Sequence, residues 1–467
     1  FQPGDRILLV GDNSQNQVVA LLACWWAGLV PLCVAPPARL SPGQIYRESL
    51  QGWVELSGAR GGWCEPDLLT RCQEVDLESG WHAFPMPFCE GEPGAARRES
   101  DDDLAYVQFS SGTTRRPKAV GLTGRSLSHN IQAILSVFPQ PLSQHSCVSW
   151  LPLYHDMGLV GSLLSAVAAP GNLVLMRPYQ FAARPLTWLQ ALTVSGATVS
   201  PAPNFALQQS LERIRDDQLE GLDLSRWQLA LLGSETIHPE TLRLFFARYR
   251  KYGLRWESLT PVYGLAEATL AVTFSPPGRG PRTLRVVEAE TGGWKASGCD
   301  DGRELVSLGA PLPGIDVRIC DDAGNTLPDG QSGRVLTRSG SVMRGYLGQD
   351  TEFVDGWLDT GDLGFFEQGE LFLVGRSKDL LIVNGKNYDP EALEQALHEI
   401  EGLDAGRAAA VAAVDDSVVY MIAERRRKET LPEEPQREQA RSAIARRTGL
   451  LVEVTLVESG WLPRTTS

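Results

Sequence analysis

Short apolar runs recur along the chain, most followed by a segment whose apolar positions return every three or four residues. Residues 6–10 (RILLV) read as a buried strand. Residues 18–35 are nearly continuously apolar and long enough to raise a membrane span. Gly28 and Pro31 break that run, which predicts a buried helix over about 15–27 and a strand over 30–34. Asn13 or Ser14 can cap the helix. Further on, the pattern predicts strands over 106–109, 147–153, 173–176, 198–200 and 228–232. Helices are expected over 126–138, 185–195 and 239–252, and a turn with a buried helix after 153. Buried strands alternating with helices predict an α/β fold, its parallel strands covered by helices.

Between 304 and 372 the pattern changes to short alternating strands split by turn signals such as Pro313-Gly314 and Asp329-Gly330. This predicts a small β-barrel-like or antiparallel subdomain. Residues 389–399 form a helix signal, with Asp389 as N-cap and Pro390 at the first position. Residues 41–100, rich in Gly, Pro and Trp, predict no regular element, and the charge-rich run 424–441 reads as a solvated loop and helix face. No internal repeat is evident.

Length changes the picture by requiring more than one core, since 467 residues exceed a single domain. A net charge of −14 argues against non-specific nucleic-acid binding, which needs cationic surface. Eight cysteines lie singly, without CxxC or HExxH spacing, so neither a zinc site nor a redox pair is signalled. Scattered thiols in apolar contexts and no charged-then-apolar leader point to a reducing, cytoplasmic setting.

The candidate chemistry centres on residues 106–118, YVQFSSGTTRRPK. A strand empties into Ser110, Ser111, Gly112, Thr113 and Thr114, then Arg115, Arg116, Pro117 and Lys118. Backbone N–H groups of such a turn can converge on an anion, the hydroxyls add donors, and Lys118 adds charge suited to polyphosphate. The spacing is not that of a Walker A loop. Four further stretches follow in order: WLPLYHDMGL (150–159), GSE (233–235), YGLAEAT (263–269) and WLDTGD (357–362) leading to GRSKDLLIVNGKNYDPEALE (375–394).

With these in place, the chain resembles the adenylate-forming superfamily of acyl-CoA ligases, luciferases and peptide-synthetase adenylation domains, and within it the fatty acyl-AMP ligases. The resemblance implies a large core over 1–375, a hinge at 376–379 around Lys378, and a small α+β lid over 380–467. It implies ATP and Mg²⁺ as cofactors, with residues 110–118 closing over the β- and γ-phosphates. Glu267 and Thr114 would hold the metal, and Thr114, Lys118, His155 and Glu267 would form the catalytic set. Gly233, Ser234, Glu235 and Tyr263 would flank adenine, Gly264 would belong to the ATP site, and Asp362 and Arg376 would fix the ribose. His155, Asp156, Gly158, Asn204 and Phe205 would line the carboxylate and acyl site. Relatives that activate amino acids place an aspartate where this chain has His155, which argues against a free α-amino acid. The segments 158–169 and 199–207 would wall an acyl tunnel or simply pack the core.

The reaction implied is ATP-dependent activation of a fatty or other apolar acid to its acyl-adenylate. The acyl group then passes to an acyl carrier protein of polyketide or non-ribosomal peptide synthesis, or to coenzyme A. The segment 281–303 falls where fatty acyl-AMP ligases carry an insertion that disfavours coenzyme A. Two departures stand out. The family usually has glycine where this chain has Arg115, and LPRTTS (462–467) stops before the lysine that relatives carry next. The second departure leads us to expect a longer native polypeptide, and the two together keep a non-catalytic nucleotide- or acyl-binding relative as a rival beside an acyl-CoA synthetase.

Overall fold

The computed structural model describes residues 1–37, 43–85, 100–110, 117–288, 294–297, 302–351, 353–377, 381–383, 386–388, 390–397, 400–413, 418–427, 429–448 and 450–462. The chain divides into two compact units, Phe1–Thr360 with Phe365–Phe372, and Gly361–Gly364 with Leu373–Ser467.

The first unit starts with a parallel sheet in the order Val30–Val34, Arg6–Val10, Gly61–Cys64, Trp81–Ala83. Its central strand is buried on both faces: Ile7 and Leu9 enter one core cluster, Leu8 and Val10 another. That is why it reads as a continuous apolar run. Ser14 caps the helix Gln15–Trp26 by accepting from the Gln17 N–H. The segment from which no element was expected contains a helix, Gly43–Ser57, and two of these strands. Gly61 and Gly62 hid the first of them, since glycine weakens a strand pattern. Gly62 is favoured here because a Cβ there would fall 2.3 Å from the buried Trp81 ring.

A second sheet of seven strands runs Ala310–Pro311, Ala271–Phe274, Leu259–Gly264, Leu229–Leu232, Val199–Ala202, Ser146–Ser149, Asn172–Leu175. It is parallel from Leu259–Gly264 onward and antiparallel at its other edge. Asn13 staples the two sheets together. Its amide donates to the carbonyls of Leu151 (2.9 Å) and Met176 (3.0 Å) and accepts from the Leu153 N–H (2.9 Å).

The alternating strands expected after 304 are present, but they divide among several sheets. Arg303–Val306 joins Thr283–Glu288 and Trp294–Ala296 in a small antiparallel sheet. Ile315–Cys320, Gly333–Ser339, Leu358–Glu367 and Glu370–Arg376 make a four-stranded sheet. Gly345–Tyr346 leaves that group and pairs with Lys118–Thr123, itself paired with Leu104–Ser110.

The second unit packs Leu403–Ala412, Val419–Arg425 and Val452–Val457 as one sheet with the helices Pro390–Gln395 and Glu433–Thr448. Its core includes Leu393, Leu397, Met421 and Ile444. The charge-rich stretch is therefore not all solvated. Glu424 is fully buried, pairs with Arg407 at 3.3 Å, and accepts from the N–H groups of Gly460 and Leu462. A buried carboxylate needs such partners.

Cys24, Cys33, Cys64, Cys72, Cys147 and Cys320 are free, and all but Cys147 are buried. Burial pushes the thiols of Cys24 and Cys33 up to about 12, so they pack as apolar residues. Among the described residues no helix is long and apolar enough to cross a membrane, and the 18–35 run is a helix and a strand.

Candidate active site

Ser110 ends one strand and Lys118 begins the next, and the two are register partners. The two strands that flank residues 111–116 are thus antiparallel neighbours held in register by the ladder. Ser111, Gly112, Thr113, Thr114, Arg115 and Arg116 lie outside the described residues, as does Lys378. Gln108, on the first strand, donates to the Tyr154 carbonyl at 2.5 Å and so ties that strand to the segment carrying His155 and Asp156.

Glu267 sits in a single tight turn, Ala266–Ala268, between two antiparallel strands of the large sheet. Gly264 makes that turn possible, because a Cβ there would come within 1.7 Å of the Leu270 carbonyl oxygen. Asn130, fully buried on the helix Gly124–Ser136, accepts from the Ala271 N–H (3.0 Å) and donates to its carbonyl (2.8 Å). Thr269, at φ 71°, donates to the Ser341 carbonyl at 2.6 Å. The Met343 N–H donates to the Glu267 carbonyl at 2.8 Å. The turn is held from three sides, so the carboxylate starts from a fixed backbone.

The side chain is held as well. Tyr346 donates its hydroxyl to Glu267 Oε1 at 2.9 Å, and the Lys118 ammonium lies 4.2 Å from the centre of the same ring. Lys118 and Glu267, far apart in sequence, thus share one aromatic neighbour. Burial and the adjacent carboxylate both raise the Tyr346 phenol, which keeps it a donor.

His155 stands just before a short helix, Asp156–Gly158, without a side-chain cap, and Asp156 accepts from the Met157 N–H at 2.7 Å. Burial pushes the Asp156 carboxyl up; the His155 and Met157 contacts oppose this and the nearby Glu267 charge adds to it. Gly158 is buried, and a Cβ would meet the Pro152 carbonyl oxygen at 2.1 Å. Its place is explained by close helix packing. The helix continues through a π-helical segment, Leu159–Leu164, whose Leu159, Val160, Leu163 and Leu164 belong to the central core cluster.

Ser234, at φ 68°, donates its hydroxyl to the Met157 sulfur at 3.1 Å. Glu235 accepts from the Phe205 N–H, and Asn204 Oδ1 accepts from the His238 N–H at 3.1 Å. Gly233 admits the neighbouring strand, where a Cβ would lie 2.9 Å from the Val262 carbonyl oxygen. Tyr263 is buried in the same strand that leads to Glu267. The structure thus brings His155, Asp156, Gly233, Ser234, Glu235, Asn204 and Phe205 into one neighbourhood of the first unit. Beside it, Trp150 stacks on Phe181 with centroids 3.9 Å apart, and Phe205 meets Trp150 edge-on.

In the second unit, Arg376 Nε donates to Asp362 Oδ1 at 3.0 Å, and Asp362 is buried. Gly361, at φ 76°, accepts from the Ser377 N–H, which fixes the Asp362 backbone. Sequence reasoning missed Tyr346 and Asn130. The signal for Tyr346 was slight, one tyrosine in a two-residue strand, and Asn130 shows only as a polar residue on the buried face of a helix.

The AMP-binding enzyme model matches residues 1–347. The chain belongs to the AMP-binding enzyme family. Long-chain-fatty-acid–AMP ligase FadD26 of Mycobacterium bovis is 33% identical over 513 residues, covering 100% of this chain and 85% of that protein. FadD23 of Mycobacterium tuberculosis, named likewise, is 31% identical over 99% of this chain and 84% of its own length. A structure from studies of fatty acyl-adenylate ligases of E. coli and L. pneumophila superposes with TM-score 0.90 at 31% identity, covering 100% and 86% of the two chains. The L. pneumophila fatty acyl-adenylate ligase in complex with acyl adenylate and pyrophosphate gives 0.76 at 28% identity, covering 99% and 85%. The likeness to fatty acyl-AMP ligases expected from the motifs holds, and so does the layered α/β fold. This member of the AMP-binding family is an ATP-dependent, acyl-adenylate-forming ligase.

Proposed function

We propose that this ligase activates a fatty acid and hands the acyl group to the phosphopantetheine thiol of an acyl carrier protein in the cytoplasm. In the first step a carboxylate oxygen attacks the α-phosphorus of ATP, the Pα–O–Pβ bond breaks, and pyrophosphate leaves. In the second the thiol attacks the acyl carbonyl, AMP leaves, and the thiol proton goes to solvent. The single observation that supports the site assignment is the meeting of Lys118 and Glu267 on Tyr346, with Lys118 opening the strand after the Ser/Thr/Gly segment.

Each side chain has a task suited to its chemistry. Two anions must approach, so charge neutralisation and positioning dominate catalysis. Lys118 would meet phosphate oxygens as a point charge. The turn at Gly233, Ser234, Glu235 and the Tyr263 strand would bound adenine, and Asp362 with Arg376 would hold the ribose hydroxyls. His155 and Asp156 would line the carboxylate end of the acyl site, with Asn204 and Phe205 beyond them. The Glu267 donor set fits Mg²⁺. Among the described residues no group of three or more His, Cys, Asp or Glu could cage a metal. Magnesium characteristically takes one or two carboxylates together with substrate phosphates. Bound there through Glu267 and Thr114, it would supply charge neutralisation at the phosphates. The strands Thr283–Glu288 and Trp294–Ala296 fall in the segment 281–303 that we associate with acceptor choice.

The test is ATP–pyrophosphate exchange across acids of increasing chain length, followed by acyl transfer to a phosphopantetheinylated carrier protein and to coenzyme A. Exchange with apolar acids and transfer to the carrier alone is the expected result. Transfer to coenzyme A at a comparable rate would make this an acyl-CoA synthetase. ATP binding without exchange for any acid would make it a non-catalytic relative.

A further inference from the structure

The segment 343–347 is short but tied on both sides. Its Met343 N–H reaches the Glu267 carbonyl, while the N–H groups of Arg344 and Leu347 reach the carbonyls of Gly121 (2.9 Å) and Ala119 (2.8 Å). Gly345 and Tyr346 pair with Gly121 and Val120 of the strand that Lys118 begins. The Tyr346 N–H is anchored on the Thr351 hydroxyl at 2.8 Å. The ring is thus fixed in register between the strand that carries the cation and the turn that carries the carboxylate.

We propose that Tyr346 is a positioning residue for adenylation, holding the Lys118 ammonium with its ring face and the Glu267 carboxylate with its hydroxyl. Two different parts of one side chain do this. The ring face attracts a cation through its quadrupole, and the phenol gives the carboxylate a charge-assisted hydrogen bond. Among the described residues Lys118 and Glu267 make no ion pair with each other; each meets Tyr346. Such a pair would neutralise both groups, whereas this arrangement keeps the cation available to phosphate and the carboxylate in one rotamer. Phenylalanine can supply only the first contact, and leucine neither.

The proposal rests on the adenylation reading above, and the experiment separates the two. Tyr346→Phe and Tyr346→Leu are made in the full chain. Three quantities are measured: the Mg²⁺ concentration at half-maximal ATP–pyrophosphate exchange, the ATP KM at saturating Mg²⁺, and the ATP-induced rise in Tm with Mg²⁺ or with EDTA. Tyr346→Phe raises the half-saturating Mg²⁺ by about tenfold or more and the ATP KM by less, as expected for one lost charge-assisted bond. It also shrinks the Mg²⁺-dependent part of the Tm rise. Tyr346→Leu raises the ATP KM as well. A half-saturating Mg²⁺ unchanged in Tyr346→Phe, with the Mg²⁺-dependent Tm rise intact, overturns the positioning role and leaves the adenylation reading standing. A wild-type chain showing neither exchange nor an ATP-induced Tm rise overturns both. Should Tyr346→Leu fail to fold, the near-isosteric Tyr346→Phe still decides.

Discussion

At the scale of single residues, the site works by removing freedom from charged groups. Glu267 could be an ordinary surface carboxylate, yet its turn is locked by Asn130, Thr269 and Met343 and its side chain by Tyr346. Neutralising it tests the metal-binding role proposed for it. Glu267→Gln keeps the shape and an acceptor for Tyr346 but removes the charge. Its adenylation rate at fixed Mg²⁺ should fall about 10²–10³-fold, the usual cost of losing one preorganised electrostatic contact. Its Tm without ligand should stay within a few degrees of wild type. A rate within threefold of wild type would assign Glu267 to structure alone. Gly158 shows the opposite case, a candidate substrate residue whose identity close packing already explains.

At the scale of elements, connections between strands carry much of the specificity of the fold. Glu370 opens the strand Glu370–Arg376 and collects Arg279, Arg282 and the Ser307 hydroxyl, which approaches to 2.5 Å. Burial alone would raise its pKa, but the hydrogen bonds from Arg279 and Ser307 and the two guanidinium charges outweigh it and hold the carboxyl below its ordinary value. A carboxylate depressed in the folded state adds stability above its unfolded pKa and loses it as pH falls through the folded one. Glu370→Gln should therefore cost about 1–3 kcal/mol at pH 7, a figure lowered because Arg279 is partly solvated. The difference from wild type should narrow as pH falls below the unfolded carboxylate range and on through the lowered folded value, where wild-type Glu370 also becomes neutral. Urea unfolding at pH 7, 5 and 3.5 checks this; a difference that is constant with pH would remove the electrostatic explanation.

At the scale of the whole molecule, one residue couples the two large sheets of the first unit. Asn13 is buried at φ 68° and makes three hydrogen bonds to segments more than a hundred residues away. Two distinct costs follow from changing it. Asn13→Ala loses the bonds and adds left-handed strain, for about 3–5 kcal/mol in all. Asn13→Gly loses the bonds but not the backbone freedom, and should be the more stable of the two by about 1 kcal/mol. Denaturant unfolding of both variants measures the split, and equal stabilities would show that the backbone there is unstrained.

The sequence alone determined what local pattern and ordered motifs can carry. The apolar run of Ile7 to Val10, a cap at Asn13 or Ser14, the helix after it and the alternation of strand and helix follow from period and propensity. The ordered motifs indicated the family, because their residue types suit nucleotide chemistry and their order is hard to reach by chance. Tertiary structure alone decided what depends on distant neighbours. The strand at Gly61–Cys64 forms where Gly62 leaves room for the buried Trp81 ring, and no local propensity announces it. Glu424 looked solvated by composition and is buried by its pairing with Arg407. Gly345–Tyr346 left the antiparallel group around it to pair with Lys118–Thr123, and so put Tyr346 between Lys118 and Glu267. Side-chain identity fixes what a group can bind; only the folded chain fixes which partners come within reach.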